Sequence, residues 1–146
     1  MTCSVGAELA ALRHTAARLV GSDLDPVRLA MAAVNVPGVP LARADALAPV
    51  TRDTVLVADP ARRSATGRRT WRPADFVPPL DALAAAALAP AGLAAGHELV
   101  VSTAPGIDPA LAPWAVEVEI VSLDGRVREA ALWSAGLAAP DGARRR

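Results

Sequence analysis

The sequence predicts an α/β domain built on a doubly wound, mainly parallel sheet. Three observations carry that expectation. Short apolar segments that end in an acidic or small residue alternate with segments of helical periodicity, which is the pattern of successive β-α units. The runs TVLVA (54–58) and HELVVST (97–103) contain the unbroken apolar stretches VLVA and LVV, as strands covered on both faces do. The end of the chain changes character: VEVEIVSL and RVREAALWS alternate apolar and polar residues around Asp124-Gly125, which predicts an antiparallel hairpin.

Taken in order, the first element is a helix over 5–18, where Leu9, Leu12 and Ala16 recur three or four apart among good helix formers. RLVGSD (18–23) reads as a strand ending in an acid. Asp25 stands at an N-cap position and Pro26 at the first helical position, so PVRLAMAAVN should be a helix. It should stop near Asn35, because Pro37 and Gly38 cannot continue it. VPLARADA (39–46) is a weaker strand, and 54–58 a strong one that ends at Asp59-Pro60. Residues 61–79 hold five Arg, Trp71 and three Pro with little periodicity, so a long loop is expected, of a length often tied to function. LDALAAAAL (80–88) is helical and is stopped by Pro90 and Gly92, and 97–103 is a strand that runs into the turn APGIDP. The tail APDGARRR, residues 139–146, is expected to be disordered, leaving 1–138 as one domain.

Composition narrows the function classes. With 15 basic and 15 acidic residues there is no global field to draw the chain to nucleic acid or an anionic membrane, so any such partner needs a local patch. Every basic residue is Arg, which together with the abundant Ala, Pro and Gly reads as codon bias of a GC-rich genome. The single Cys excludes an internal disulfide, and no Cys/His group has metal-ligand spacing, so no metal is expected. No apolar run approaches the ~18 residues of a membrane span, and nothing resembles a secretory leader. The cytoplasm is the default expectation.

In doubly wound sheets a ligand sits at the carboxyl ends of the strands, where a loop leading into a helix approaches it with backbone N–H groups. Thr2-Cys3-Ser4-Val5-Gly6 precedes the first helix. It has two readings: small residues that let backbone approach a ligand, or an ordinary helix start capped by Ser4. Asp23 ends a strand 17 residues after Gly6, close to the ~20-residue offset at which an acid meets the ribose hydroxyls of a nucleoside. A carboxylate suits that task because it accepts from two vicinal hydroxyls at once. The helix-cap alternative is already filled by Asp25. Asp45, in ARADAL, stands where a carboxylate could accept an adenine amine or simply close a solvated turn. Arg62 and Arg63 follow Asp59-Pro60-Ala61 and either hold a carboxylate or phosphate through their planar forks or are solvated. His14 and His97 read as structural or solvated, and Trp133 as core. Trp71, in TGRRTWR, is either a solvated loop residue or a stacking platform for a base.

The series CSVG, GSDLDPVRLAMAAVN, ARADAL, TVLVADPARR, HELVVSTAPG and VEVEIVSLDGRVREAALWS resembles the successive motifs of class I S-adenosylmethionine-dependent methyltransferases, in order and across almost the whole chain. More narrowly it resembles actinobacterial methyltransferases with a THUMP-like domain, whose motifs include a TCSxG loop and a DPARR-type motif. SDLDPVRLAMAAVN is the most specific block. The resemblance implies a Rossmann-like sheet of the class I type with an antiparallel last strand, and S-adenosylmethionine as the methyl donor. It assigns cofactor contacts to Thr2, Cys3, Ser4, Gly6, Asp23, Leu24, Asp45, Ala46 and Asp59. Catalytic roles fall to Asp59 and Pro60, and substrate contacts to Arg62, Arg63 and Trp71. RNA is the implied acceptor, because THUMP-related domains bind RNA and five Arg crowd one loop.

Two departures from the family pattern matter. The family's first strand, central between its second and fourth, should precede Thr2, so the expectation is a partial domain that lacks it. Enzymes that methylate exocyclic base amines usually carry Asp/Asn-Pro-Pro and an aromatic, whereas Ala61 and Arg62 hold the last two places here. That weakens the case for amine methylation. Carbon-5 pyrimidine methylation needs a Cys nucleophile, and the only Cys lies in the loop assigned to the cofactor. Two rival readings remain: a non-catalytic truncated fragment with an incomplete cofactor site, and a dinucleotide-dependent oxidoreductase, against which the closing hairpin counts.

Overall fold

Strand pairing divides the chain into a two-stranded parallel sheet and a four-stranded mixed sheet. They lie in two compact units, Met1–Val50 and Thr51–Arg146, each taken by itself below. The computed structural model describes residues 2–62, 70–88 and 96–139.

The first unit contains α1 (Ala7–Leu12), β1 (Gly21–Asp23), α2 (Pro26–Asn35) and β2 (Leu41–Arg43). β1 and β2 pair in parallel, Gly21 opposite Leu41 and Asp23 opposite Arg43, with α2 as the crossover. α2 starts where its local signals place it: the Asp25 carboxylate accepts the N–H groups of Val27 and Arg28 at 2.8 and 3.4 Å, and Pro26 opens the helix. It ends at Asn35, ahead of Pro37. Its inner stripe, Leu29, Ala32 and Val36, packs with Cys3, Leu9, Leu19, Val39 and Leu41 to form the core of this unit. Gly21 sits inside that core, where a Cβ would stand 2.5 Å from a Leu9 methyl and 2.7 Å from a Leu41 methyl.

α1 is six residues long, much shorter than the helix expected over 5–18. Only Leu9 of this helix is buried, and tertiary packing of an apolar face is what sustains most helices in proteins. Beyond Leu12 the chain tightens into a turn, with the N–H groups of Thr15 and Ala16 both on the Leu12 carbonyl. The strands expected over 18–23 and 39–46 contract to three residues each, the stretch over which they pair with one another.

The second unit contains β3 (Val55–Ala58), α3 (Leu80–Ala87), β4 (Glu98–Thr103), β5 (Glu117–Leu123) and β6 (Arg126–Trp133). The sheet order is β3-β4-β6-β5, with β3 and β4 parallel and the other pairs antiparallel. α3 buries Leu80, Leu83, Ala84 and Ala87, one face at helical spacing. Leu56, Ala58, Leu99, Val101, Phe76, Ala130 and Leu132 are buried in the same unit.

The hairpin forms at the expected turn, where Asp124 and Gly125 both have positive φ, 52° and 70°. That is the conformation for which Asp-Gly is favoured in two-residue hairpins. Register slips by one residue, with Val121 opposite Glu129 and Ser122 opposite Val127, so Arg128 forms a bulge. The outer half of the hairpin does not gain the buried face that alternation suggests. β4 stops at Thr103 opposite Ala130, so beyond that point the two strands pair only with each other and Ile120, Leu123 and Val127 are all more than half exposed.

The described part of 61–79 is more ordered than a structureless loop. Ala61 and Val77 exchange two backbone hydrogen bonds of 2.9 Å, the Thr70 N–H donates to the Arg62 carbonyl at 2.9 Å, and Pro73–Asp75 forms a 3-10 turn. The buried Phe76 anchors it. Arg63, Arg68 and Arg69 lie outside the described residues, as do Pro90, Gly92 and 140–146 of the expected tail. Ala139, the first residue of that tail, donates its N–H to Glu117 Oε2 at 2.6 Å.

Candidate functional site

Asp23 organises the carboxyl end of the β1–β2 pair. Its side chain is 7% exposed. Oδ2 accepts the Ser4 N–H at 2.9 Å and Oδ1 accepts the Asp25 N–H at 3.0 Å. An ionised carboxylate has about four lone-pair sites, so each oxygen keeps acceptor capacity after these two bonds. The sequence placed this acid beside a ligand; it did not reveal that the same carboxylate clamps the loop 19 residues upstream.

The loop from Thr2 to Gly6 is held from several directions. The Cys3 N–H donates to the Ser22 carbonyl of β1 at 2.9 Å, Ser4 is tied to Asp23, and Asn35 Nδ2 donates to the Val5 carbonyl at 2.9 Å. Thr2, Ser4 and Gly6 all have positive φ, 52°, 48° and 93°. A β-branched Thr in that region is strained, and such strain persists only where surrounding contacts over-determine it. Gly6 occupies the N-cap position of α1 with no side-chain capping bond, so the reading in which Ser4 caps the helix is corrected: its N–H is turned to Asp23 instead. A Cβ on Gly6 would stand 3.1 Å from a Val36 methyl, a tight contact added to the conformational demand of its φ.

Cys3 is buried beneath this loop. Burial, and then the nearby Asp23 charge, push its thiol above the ordinary value of 9.0. A thiol held in its neutral form is a poor nucleophile.

Leu24, directly after Asp23, is 57% exposed, and its carbonyl accepts Arg43 Nε at 3.1 Å. That contact, from the end of β2, was not visible in the sequence. Asp45 lies two residues beyond β2 and is exposed; Oδ1 accepts the Leu47 N–H at 2.9 Å while its carbonyl accepts Ala48 N–H at 3.0 Å. Ala46 beside it is buried. The structure therefore brings Thr2, Cys3, Ser4, Asp23 and Leu24 together at the end of β1, with Asp45 and Ala46 just beyond the paired β2, while Gly6 packs against Ala32 and Val36 in the later part of α2 and at its C-cap. The end combines carboxylate acceptors, an exposed apolar side chain and a braced loop, which suits a ligand rich in hydroxyl and amine donors.

In the second unit Asp59 is exposed just beyond β3, and Pro60 is fully buried. Arg62 is half-buried, and Trp71 is 74% exposed with the Arg72 guanidinium 5.4 Å from its ring centroid. His97 is buried at the amino end of β4, where Nδ1 lies 3.4 Å from the Thr54 N–H nitrogen and 3.2 Å from its hydroxyl. That is a structural setting, between neighbouring strands. Trp133 is half-buried in β6. Among the described residues no three His, Cys, Asp or Glu side chains are grouped to hold a metal ion. Among the same residues no helix is long and apolar enough to cross a membrane.

No model of a known protein family matches the chain. Over 99% of its length it is 51% identical to a protein described as an uncharacterized S-adenosylmethionine-dependent methyltransferase of Mycobacterium tuberculosis, found in strain CDC 1551 / Oshkosh and strain ATCC 25618 / H37Rv. The chain spans 40% of the length of these relatives.

Proposed function

We propose that this chain carries the S-adenosylmethionine site of a methyltransferase, with the adenosine moiety against the carboxyl end of β1 and β2. The observation that carries this reading is the buried Asp23 carboxylate, which fixes the loop through Ser4 and retains acceptor capacity on both oxygens. The relatives' description supports it.

The residues present fit the cofactor. Asp23 would accept from the two ribose hydroxyls, the exposed Leu24 would meet a face of the adenine, and Asp45 would accept its amine. The small Ala46 gives the ring room, and the backbone of Thr2, Cys3, Ser4 and Gly6 would line the methionine end. When bound, the cofactor supplies a methyl group already activated by its sulfonium. The work left to the protein is alignment of the acceptor at near-attack distance. Asp59 and Pro60 are the residues this proposal assigns to catalysis. Arg62, Arg63 and Trp71 are assigned to the acceptor, for which RNA is the class that the Arg-rich segment favours.

The fold we infer is Rossmann-like and of the class I methyltransferase type. Gly21 and Asp23 bond toward β2 through Pro40 and Ala44, while the Ser22 carbonyl bonds the other way, to Cys3. This supports a reading in which Thr2 and Cys3 end a strand running along that side of β1. An antiparallel hairpin next to the parallel β3–β4 pair accords with the same type and not with a dinucleotide-dependent oxidoreductase.

Calorimetric titration tests the proposal. S-adenosylmethionine should bind the chain, and Asp23→Ala should weaken it about tenfold or more, since hydrogen bonds to a charged group contribute roughly 1.5–3 kcal/mol. Because Asp23 also braces the loop, Asp23→Asn serves as the second variant: it keeps one acceptor oxygen, for one of the two braced N–H groups, and loses the charge, and with its fold checked by circular dichroism it should fall between. Unaltered affinity in a folded Asp23→Ala protein removes the ribose assignment, and tighter binding of a nicotinamide dinucleotide overturns the methyltransferase reading.

A further inference from the structure

We infer that Trp71 and Arg72 form a platform for an unpaired nucleobase and its phosphate, so that the chain binds single-stranded nucleic acid at the segment leaving β3. The inference rests on the methyltransferase reading only in taking that strand as the acceptor. Its physical basis is separate.

An indole 74% exposed leaves a large flat apolar surface in water, and stacking against it would be favourable. Trp71 is not buried in a core, and its flanking residues Thr70 and Arg72 are polar, which suits a polar, charged partner better than an apolar one. Among the described residues one guanidinium lies over the ring, that of Arg72 at 5.4 Å from its centroid. Among the described residues Arg72 makes no ion pair; its charge rests on the indole while the edges of the planar group keep their N–H donors for an anion. A flat aromatic surface with cationic donors at its rim matches a base and the phosphate beside it. Arg62, half-buried and likewise in no ion pair among the described residues, supplies a second cation on the same segment.

The local backbone holds this platform in place rather than leaving it on a loose tether. Ala61 and Val77 are bonded to each other across the base of the segment, and Arg62 to Thr70 one step further out. The Thr70 hydroxyl accepts the Arg72 N–H at 3.1 Å and donates to Asp75 Oδ2 at 3.1 Å, which fixes the backbone on both sides of the indole. The segment departs from Asp59-Pro60 at the carboxyl end of β3, so a bound strand would lie beside the residues assigned to the acceptor.

Fluorescence anisotropy with labelled oligonucleotides of roughly 12 nucleotides, within the span such sites cover, provides the test. RNA and DNA single strands of one sequence and the matching duplex are compared, for the full chain and for Trp71→Ala, Trp71→Phe and Arg72→Ala. A single strand should bind more tightly than the duplex. Trp71→Ala should lose about tenfold, as removal of one stacked base does, and Trp71→Phe should lose less. A preference for RNA over DNA identifies a 2′-hydroxyl contact, and equal binding identifies stacking and phosphate alone; both accord with the platform. S-adenosylmethionine affinity, measured in the same Trp71→Ala protein, should not change, so a failure of the cofactor site and a failure of the platform are read separately. Single-strand binding that survives Trp71→Ala intact, a duplex bound as tightly as a single strand, or no oligonucleotide binding at all overturns the inference.

Discussion

Individual residues in the Thr2–Gly6 loop carry two jobs at once, holding the first unit together and shaping the proposed ligand surface. Gly6 illustrates the first. Placing a Cβ at a φ of 93° costs about 1–2 kcal/mol on conformational grounds alone, and Val36 stands close by. Gly6→Ala should therefore lower the thermal midpoint followed by circular dichroism, and an unchanged midpoint would show that the loop is not braced as described. Cys3 offers a pH readout. Its thiol is raised in the fold relative to the unfolded chain, so the folded state holds the proton more tightly. The contribution to stability is complete below the unfolded thiol value and is lost as pH rises through the folded one. Denaturant midpoints should thus decline as pH rises above the ordinary thiol value of 9.0, and Cys3→Ala should flatten that part of the profile. Asp25 was legible in the sequence because a cap acts on residues two and three positions away. The clamp by Asp23 was not, because it joins Ser4 to a strand end that becomes a neighbour only after folding.

At the scale of elements, the well-predicted ones carry strong local signals. α2 has its cap, its Pro at the first position and its breakers, and the β5–β6 hairpin has Asp-Gly at the turn. α1 was over-extended because periodic Leu and Ala residues say nothing about whether a surface exists to receive them, and beyond Leu12 the chain turns away. The exposed hairpin tip has the same origin: alternation reports a potential for burial, and β4 is too short to supply it. α3 depends on packing, with Leu80 and Leu83 fully buried. Leu83→Ala should destabilise the second unit by about 2–5 kcal/mol in chemical denaturation. A loss below about 1 kcal/mol would mean that this core is not closely packed. By contrast Val34 on α2 is 79% exposed, and Val34→Glu should change stability by no more than about 0.5 kcal/mol.

For the molecule as a whole, parallel β-α order and the closing hairpin were readable from the alternation of patterns: each unit has a parallel strand pair, and the hairpin closes the second. The separation into two sheets was not, because strand order depends on pairings between distant segments that periodicity does not specify. The proposed cofactor surface gathers residues from three stretches of the first unit, Thr2–Gly6, Asp23–Leu24 and Asp45–Ala46, which the sequence marked by small residues ahead of a helix and by acids at strand ends. The most direct test of that surface is to titrate the 15N-labelled chain with S-adenosylhomocysteine, which lacks the reactive methyl, and follow the backbone amides by NMR. The largest shifts should fall on Ser4, Gly6, Leu24, Asp25 and Ala46. Saturable shifts confined to the β5–β6 hairpin or to α3, with those five amides unmoved, would contradict the account.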